Sequence, residues 1–154
     1  MSKNSIVDIA QIKKAEAKTF NSKKKLNMAI ENAGLIIAQE ASINSNYNEK
    51  LNVLILVGPG NNGSDGLVAA RFLTEWGASV KIFLLKERDD LSKYLKKTKN
   101  EIKFIEIITQ ISPTKQKEII QESDCIIDGL YGIGWDINRK KSNLNKIGEK
   151  LIKK

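Results

Sequence analysis

Val53-Leu54-Ile55-Leu56-Val57-Gly58-Pro59-Gly60-Asn61-Asn62-Gly63-Ser64-Asp65-Gly66-Leu67-Val68-Ala69-Ala70-Arg71 is the stretch that decides the fold. Its first five residues form a short, wholly apolar run bounded by Asn52 and Gly58, as suits a strand covered on both faces. Residues 58–66 read as a glycine-rich loop. After it, Leu67, Val68, Ala70, Arg71 and Leu73 continue as a helix that stops at Gly77, the residue type favoured just past a helix end. Downstream, strands are predicted over residues 79–85, 103–108 and 124–128, with a charged, exposed helix inside 86–100. Ser112-Pro113 opens another helix that runs to about Glu122, with serine as N-cap and proline in the first turn. Upstream, two helices are predicted over residues 9–20 and 24–41, the second with Leu26, Ile30, Ala33 and Ile37 at helical spacing, and both are expected to pack on the sheet.

Strands alternating with helices of this length predict an α/β fold, a doubly wound, Rossmann-like parallel sheet in three layers joined by right-handed crossovers. In the strand order 3-2-1-4, the first and fourth strands are neighbours and their carboxyl ends form the topological switch point. That order brings residues 58–66 and 128–138 together as the expected ligand site.

The chain has 154 residues, 41% of them hydrophobic, enough for one core and too few for two ordinary domains. It carries 26 basic against 18 acidic side chains, a formal +8, mostly lysine dispersed among Asn and Ile and thickening over residues 139–154. This distribution reads as a solvated surface in preference to a nucleic-acid face. There is no histidine, which excludes Ser-His-Asp and Cys-His triads, imidazole bases and ordinary zinc sites. The lone Cys125, flanked by Ile126 and Ile127, reads as a small buried apolar residue in a reducing compartment. No apolar run approaches the ~20 residues that span a bilayer, and residues 1–8 lack a signal-peptide layout, so a cytoplasmic protein is expected.

Gly58-Pro59-Gly60-Asn61-Asn62-Gly63 matches G-x-G-x-x-G between a strand and a helix, the setting of a dinucleotide fingerprint. Its chemistry departs from a pyrophosphate loop. Pro59 removes a backbone donor, Asn61 and Asn62 contribute amides, and Asp65 places a carboxylate where a phosphate would sit. Such a loop suits a polyol, an amide or a weakly held monovalent cation. Ser64 as helix cap and Asp65 as complement to the helix dipole would explain those two residues, but not two glycines, a proline and paired asparagines in one turn. Asp128 ends the fourth strand and should emerge at the crevice, as a ligand or as a turn cap for Gly129. Gly129, Gly132 and Gly134 permit close backbone approach, and Trp135 reads either as a ring-stacking residue or as partial core. Glu87, Arg88 and Asp89 cluster after the second strand with no evident phosphate or ribose partner.

The run from Val53 to Arg71 closely resembles the signature of the YjeF N-terminal domain family, the NAD(P)H-hydrate epimerases. Met28-Ala29-Ile30-Glu31-Asn32-Ala33-Gly34 resembles that family's early helix, and Ile126-Ile127-Asp128-Gly129-Leu130-Tyr131-Gly132-Ile133-Gly134 its second glycine loop. The resemblance implies interconversion of the R and S epimers of hydrated NADH and NADPH, so that a partner dehydratase can restore the cofactor. It implies binding of the hydrated cofactor by Asn61, Asn62, Gly63, Ser64 and Asp65, and again by Gly132, Ile133, Gly134, Trp135, Asp136, Ile137 and Asn138. It also implies potassium held by Asn62 and Asp128, and a homodimer.

Two positions depart from the family pattern: Ser64 stands for a usual glycine and Ile133 for a usual small hydroxyl residue. The family's later Val-Asp-x-Pro-Ser-Gly type segment, which brings an aspartate for proton transfer, has no counterpart up to Lys154. Residues 1–154 are therefore expected to form this domain without its final strands and helices. No catalytic residue is assigned from the sequence. The competing expectation is a non-catalytic, RNA-associated scaffold of the same fold, which has no need of both Asn62 and Asp128.

Overall fold

β1 (Asn52–Val57) is buried at all five positions from Val53 to Val57, because both of its faces are covered. In the computed structural model, which describes residues 7–45, 50–95, 105–108 and 112–132, β1 is a central strand. It pairs in parallel with β2 (Ser79–Leu84), Val53 opposite Val80 and Val57 opposite Leu84. On its other side lies β4 (Cys125–Gly129), Val53 opposite Cys125 and Val57 opposite Gly129. β3 (Ile105–Ile108) pairs with β2, giving the predicted order β3-β2-β1-β4.

The twofold alternation of side chains divides the core into two layers. Val53, Ile55, Val57, Val80, Ile82 and Leu84 face α3 (Asn61–Glu75), whose Leu67, Val68, Ala70 and Leu73 join the same cluster. Leu54, Leu56 and Phe83 face the opposite way, toward Ile119 of α5 (Pro113–Glu122). Helix α3 ends as predicted: Gly77 takes a φ of 97°, and the N–H groups of Gly77 and Ala78 donate to the carbonyls of Thr74 and Leu73 at 3.1 and 3.0 Å. This is the paired closure that a left-handed residue makes possible. Ser112 caps α5, its Oγ accepting from the Lys115 N–H at 3.3 Å, with Pro113 first in the helix.

Four expectations are corrected. Helix α1 (Ile9–Thr19) has a full capping box between Asp8 and Gln11 but buries none of its residues, so it does not pack on the sheet. Helix α2 (Lys23–Asn44) packs on α3, outside the layer that covers the sheet, through Ile30, Gly34, Ala38 and Ala41. Its contact stripe is centred on small residues, which allow the closest approach of two helices, while Leu26 and Ile37 pack at its margin. The segment after β2 contains a short helix, α4 (Leu91–Leu95), whose Tyr94 and Leu95 are buried against the core. Cys125 is only half-buried, since the described part of β4 is covered on one face; on the other, Ile126 is 47% exposed.

Candidate functional site at the β1 and β4 carboxyl ends

The parallel pairing of β1 with β4 delivers both chain exits to one place. The Gly58 N–H donates to the Gly129 carbonyl at 3.0 Å, extending the ladder one residue past the end of β1. The two backbones then touch so closely that a Cβ at Gly58 would lie 1.8 Å from the Leu130 carbonyl oxygen. Only glycine fits there. The predicted meeting of the two glycine segments holds for residues 58–66 and 128–132; Ile133, Gly134, Trp135, Asp136, Ile137 and Asn138 lie outside the described residues.

Most of the predicted loop is helical. Gly60 is the N-cap of α3, without a side-chain capping bond, and Asn61 through Asp65 form the first turns. The capping role considered for Ser64 is thus overturned: its N–H donates to the Gly60 carbonyl at 3.2 Å, inside the helix. The helical path sorts the motif by face. Gly63 and Ser64 turn inward and are buried, Ser64 at 3% exposure. Asn61, Asn62 and Asp65 stand at i, i+1 and i+4 on the outer side, Asn61 exposed and the other two half-buried.

Asn62 links the two segments, its Nδ2 donating to the Tyr131 carbonyl at 3.0 Å. Asp128 is exposed and its Oδ1 accepts the Leu130 N–H at 2.9 Å, an Asx turn that shapes the second segment. The turn-cap reading of Asp128 is therefore correct in geometry, and Oδ2 is left without a donor among the described residues. Asp65 has no hydrogen-bonding partner among the described residues, and burial pushes its carboxyl up to about 6. A carboxyl poised near neutrality in a crevice is the kind of group that proton-transfer sites use.

Arg88, which sequence reasoning left without a partner, organises this turn from behind. Its side chain is 6% exposed. Nη1 donates to the carbonyls of Gly58 at 2.6 Å and Gly60 at 3.1 Å, and Nη2 to Ser64 Oγ at 2.7 Å. Nε and Nη2 also hold the Asp90 carboxylate, each at 2.8 Å. The hydrogen bonds to Arg88 hold the Asp90 carboxyl below the usual carboxylate range, against a smaller opposing effect of burial.

A family model described as "YjeF-related protein N-terminus" matches residues 26–153. The chain belongs to that family. The YjeF-related domain is 38% identical over 109 residues to an NAD(P)H-hydrate epimerase of Entamoeba histolytica, covering 69% of this chain and 45% of that protein. It is 39% identical over 112 residues to a Caenorhabditis elegans protein of the same name, covering 72% and 44%. A bifunctional NAD(P)H-hydrate repair enzyme of Thermofilum pendens is 32% identical over 133 residues, 84% of this chain and 25% of that protein. Among solved structures, that of yeast YNL200c superposes with a TM-score of 0.76 at 25% identity, over 97% of this chain and 65% of that one. The chain spans between a quarter and just under half the length of these curated relatives.

Proposed function

We propose that this YjeF-related domain epimerises the R and S forms of hydrated NADH and NADPH, as the names of its epimerase relatives suggest. The observation that carries the reading is Asp65, a half-buried carboxyl without a described partner, beside Asn61 and Asn62 at the switch point. A pyrophosphate loop would reject a carboxylate there, whereas a hydroxylated, amide-bearing ring can use one as a hydrogen-bond acceptor or as a proton carrier. Asn61 and Asn62 supply amides that orient the ring, and Gly63 lets the backbone turn beneath them. A scaffold has no use for a carboxylate raised in this way.

A monovalent cation, potassium, is part of the proposal. Asn62 Oδ1 and Asp128 Oδ2 have no hydrogen-bond donor among the described residues, and an amide and a carboxylate oxygen are the hard donors an alkali cation accepts. Bound there, the ion would supply fixed positive charge between the two segments. Residues 132–138 would complete the cofactor's binding surface. The product epimer would pass to a dehydratase that restores the cofactor, in the manner suggested by the bifunctional repair relatives.

No described helix is long and apolar enough to cross a membrane. We place the protein in the cytoplasm, where Cys125 stays reduced. We also propose a homodimer, for which Met28, Ile36 and Ile43 of α2 offer an exposed apolar surface.

The test is interconversion of purified R and S hydrated NADH, followed by chiral chromatography with and without potassium. Turnover by the 154-residue chain, cut roughly a hundredfold or more by Asp65→Asn, is the expected result. Wild-type turnover untouched by Asp65→Asn would remove the carboxyl from the mechanism.

A further inference from the structure

We propose that Arg88, held by Asp90, is a positioning residue that fixes the first turn of α3 for ligand binding, and is not a reader of ligand phosphate. The inference rests on the epimerase reading only for its kinetic consequences; its structural part stands alone.

A guanidinium has five N–H donors in a rigid plane, and Arg88 commits all of them. Nε meets Asp90 Oδ1, Nη1 meets the two carbonyls of Gly58 and Gly60, and Nη2 meets Ser64 Oγ and Asp90 Oδ2. The acceptors bracket the whole bend, from the last residue before Pro59 to the fourth residue of α3. The buried Gly58 carbonyl, which accepts no other hydrogen bond among the described residues, is satisfied by a buried cation; the Gly60 carbonyl, which also accepts the Ser64 N–H, gains a second donor, and the cation is neutralised bidentately by Asp90. Breaking one side of such an arrangement leaves a buried charge or an orphan Gly58 carbonyl, so the bend is held in a single geometry.

Gly63 is shaped for the same contact. A Cβ there would lie 2.7 Å from Arg88 Nη1 and 2.1 Å from the Gly58 carbonyl oxygen. The guanidinium and residue 63 occupy one space, which only glycine leaves free. Ser64 then supplies a hydroxyl acceptor where the family usually has glycine, and its side chain points at Arg88 and away from the outer face that carries Asn61, Asn62 and Asp65.

Composition supports the choice of arginine. Of the 26 basic residues only Arg71, Arg88 and Arg139 are arginine in an otherwise lysine-rich chain, and both described ones are buried in ion pairs. A lysine offers three donors from one point and cannot bridge four acceptor groups in a plane. With no N–H left over and its charge matched by Asp90, Arg88 has nothing to offer the extra phosphate that separates NADPH from NADH.

The experiment compares the wild-type chain with Arg88→Lys, Arg88→Ala and Asp90→Asn by amide hydrogen exchange and by turnover of hydrated NADH and hydrated NADPH. Exchange over residues 58–66 is expected to accelerate about tenfold or more in both Arg88 variants, with residues 79–84 unchanged. Asp90→Asn, which keeps the guanidinium, should loosen the same residues to a smaller degree and covers the case in which Arg88→Ala does not fold. Turnover should fall mainly in kcat and by the same factor for both substrates, and about 10 mM guanidinium ion should restore part of it to Arg88→Ala but none to Arg88→Lys.

Unchanged exchange over residues 58–66 in Arg88→Lys and Asp90→Asn would overturn the proposal. So would a shift of about tenfold or more in the preference between the two substrates, which would make Arg88 a phosphate reader. If the wild-type chain turns over neither substrate, the epimerase reading fails while the exchange result still decides the clamp.

Discussion

Asp65 holds a proton that the unfolded chain would release. Burial raises its carboxyl to about 6, above the roughly 4 of a solvated aspartate. Its contribution to stability is therefore fully present below about pH 4 and is lost as pH rises through about 6, leaving a constant penalty at neutrality. Asp65→Asn keeps the shape and removes the charge. It should stabilise the fold by ~1–2 kcal/mol at pH 7, after discounting for the partly open position, and by nothing below about pH 4. Urea denaturation of both proteins at pH 4 and pH 7 measures this; a variant less stable than wild type at pH 7 would show that the ionised carboxylate has a partner that stabilises it. A variant more stable yet less active would mark Asp65 as a residue kept for function at the expense of the fold. Its presence as a carboxylate in a glycine-rich turn was legible from the sequence. Its helical position was not, because Gly60, Asn61, Asn62 and Gly63 are all poor helix formers, and propensity gave way to tertiary contacts. Those contacts come from Arg88 and from the Gly129 to Tyr131 backbone, both remote in sequence.

Among the elements, the strands were readable because each is a short, predominantly apolar run bounded by polar residues or glycine. The layering of the N-terminal helices was not, since an amphipathic pattern reports that one face is covered without reporting by what. The α2 contact shows the difference: a Cβ at Gly34 would lie 2.5 Å from the Val68 side chain and 2.8 Å from the Asp65 carbonyl oxygen. The predicted stripe through Ala33 misses this close approach by one residue. Gly34→Ala gains up to about 1 kcal/mol of helix propensity and loses more to overpacking, for a net destabilisation of ~1–3 kcal/mol. Val68→Ala in the same chain should recover only a small part of the loss, because it removes the Val68 Cγ1 at 2.5 Å and leaves both the Cβ at 2.5 Å and the Asp65 carbonyl oxygen at 2.8 Å. Equilibrium unfolding of the two single variants and the double variant gives the coupling directly. Strictly additive losses would mean that the helices separate in place of clashing. Arg71 reinforces the same contact, its Nη2 lying 2.5 Å from Glu31 Oε2 across the α2 and α3 boundary. In a chain so rich in lysine, the rare arginines were the available sign of buried, planar ion pairs, at Arg71 as at Arg88.

For the whole molecule, the site exists only because residues separated by more than sixty positions are brought to the same end of the sheet. Asn62 reaches Tyr131, Gly58 reaches Gly129, and Asp128 shapes the turn that receives them. If a potassium ion is held between Asn62 and Asp128, it ties the β1 and β4 exits together and binds the folded chain alone. Potassium should then raise the melting temperature in proportion to the logarithm of its concentration above its dissociation constant, while the larger caesium ion or the smaller lithium ion does so less. Asn62→Ala and Asp128→Ala should each abolish the increment, and the double variant should lose no more of it than either single one, because one ion needs both oxygens. The baseline costs differ and must be read separately from the potassium response. Asn62→Ala gives up the hydrogen bond to the Tyr131 carbonyl, and Asp128→Ala gives up the Asx turn on Leu130, each worth about 1 kcal/mol without any ion. A potassium response that survives both substitutions would place the ion elsewhere and leave Asn62 and Asp128 as structural ties between the two strand ends.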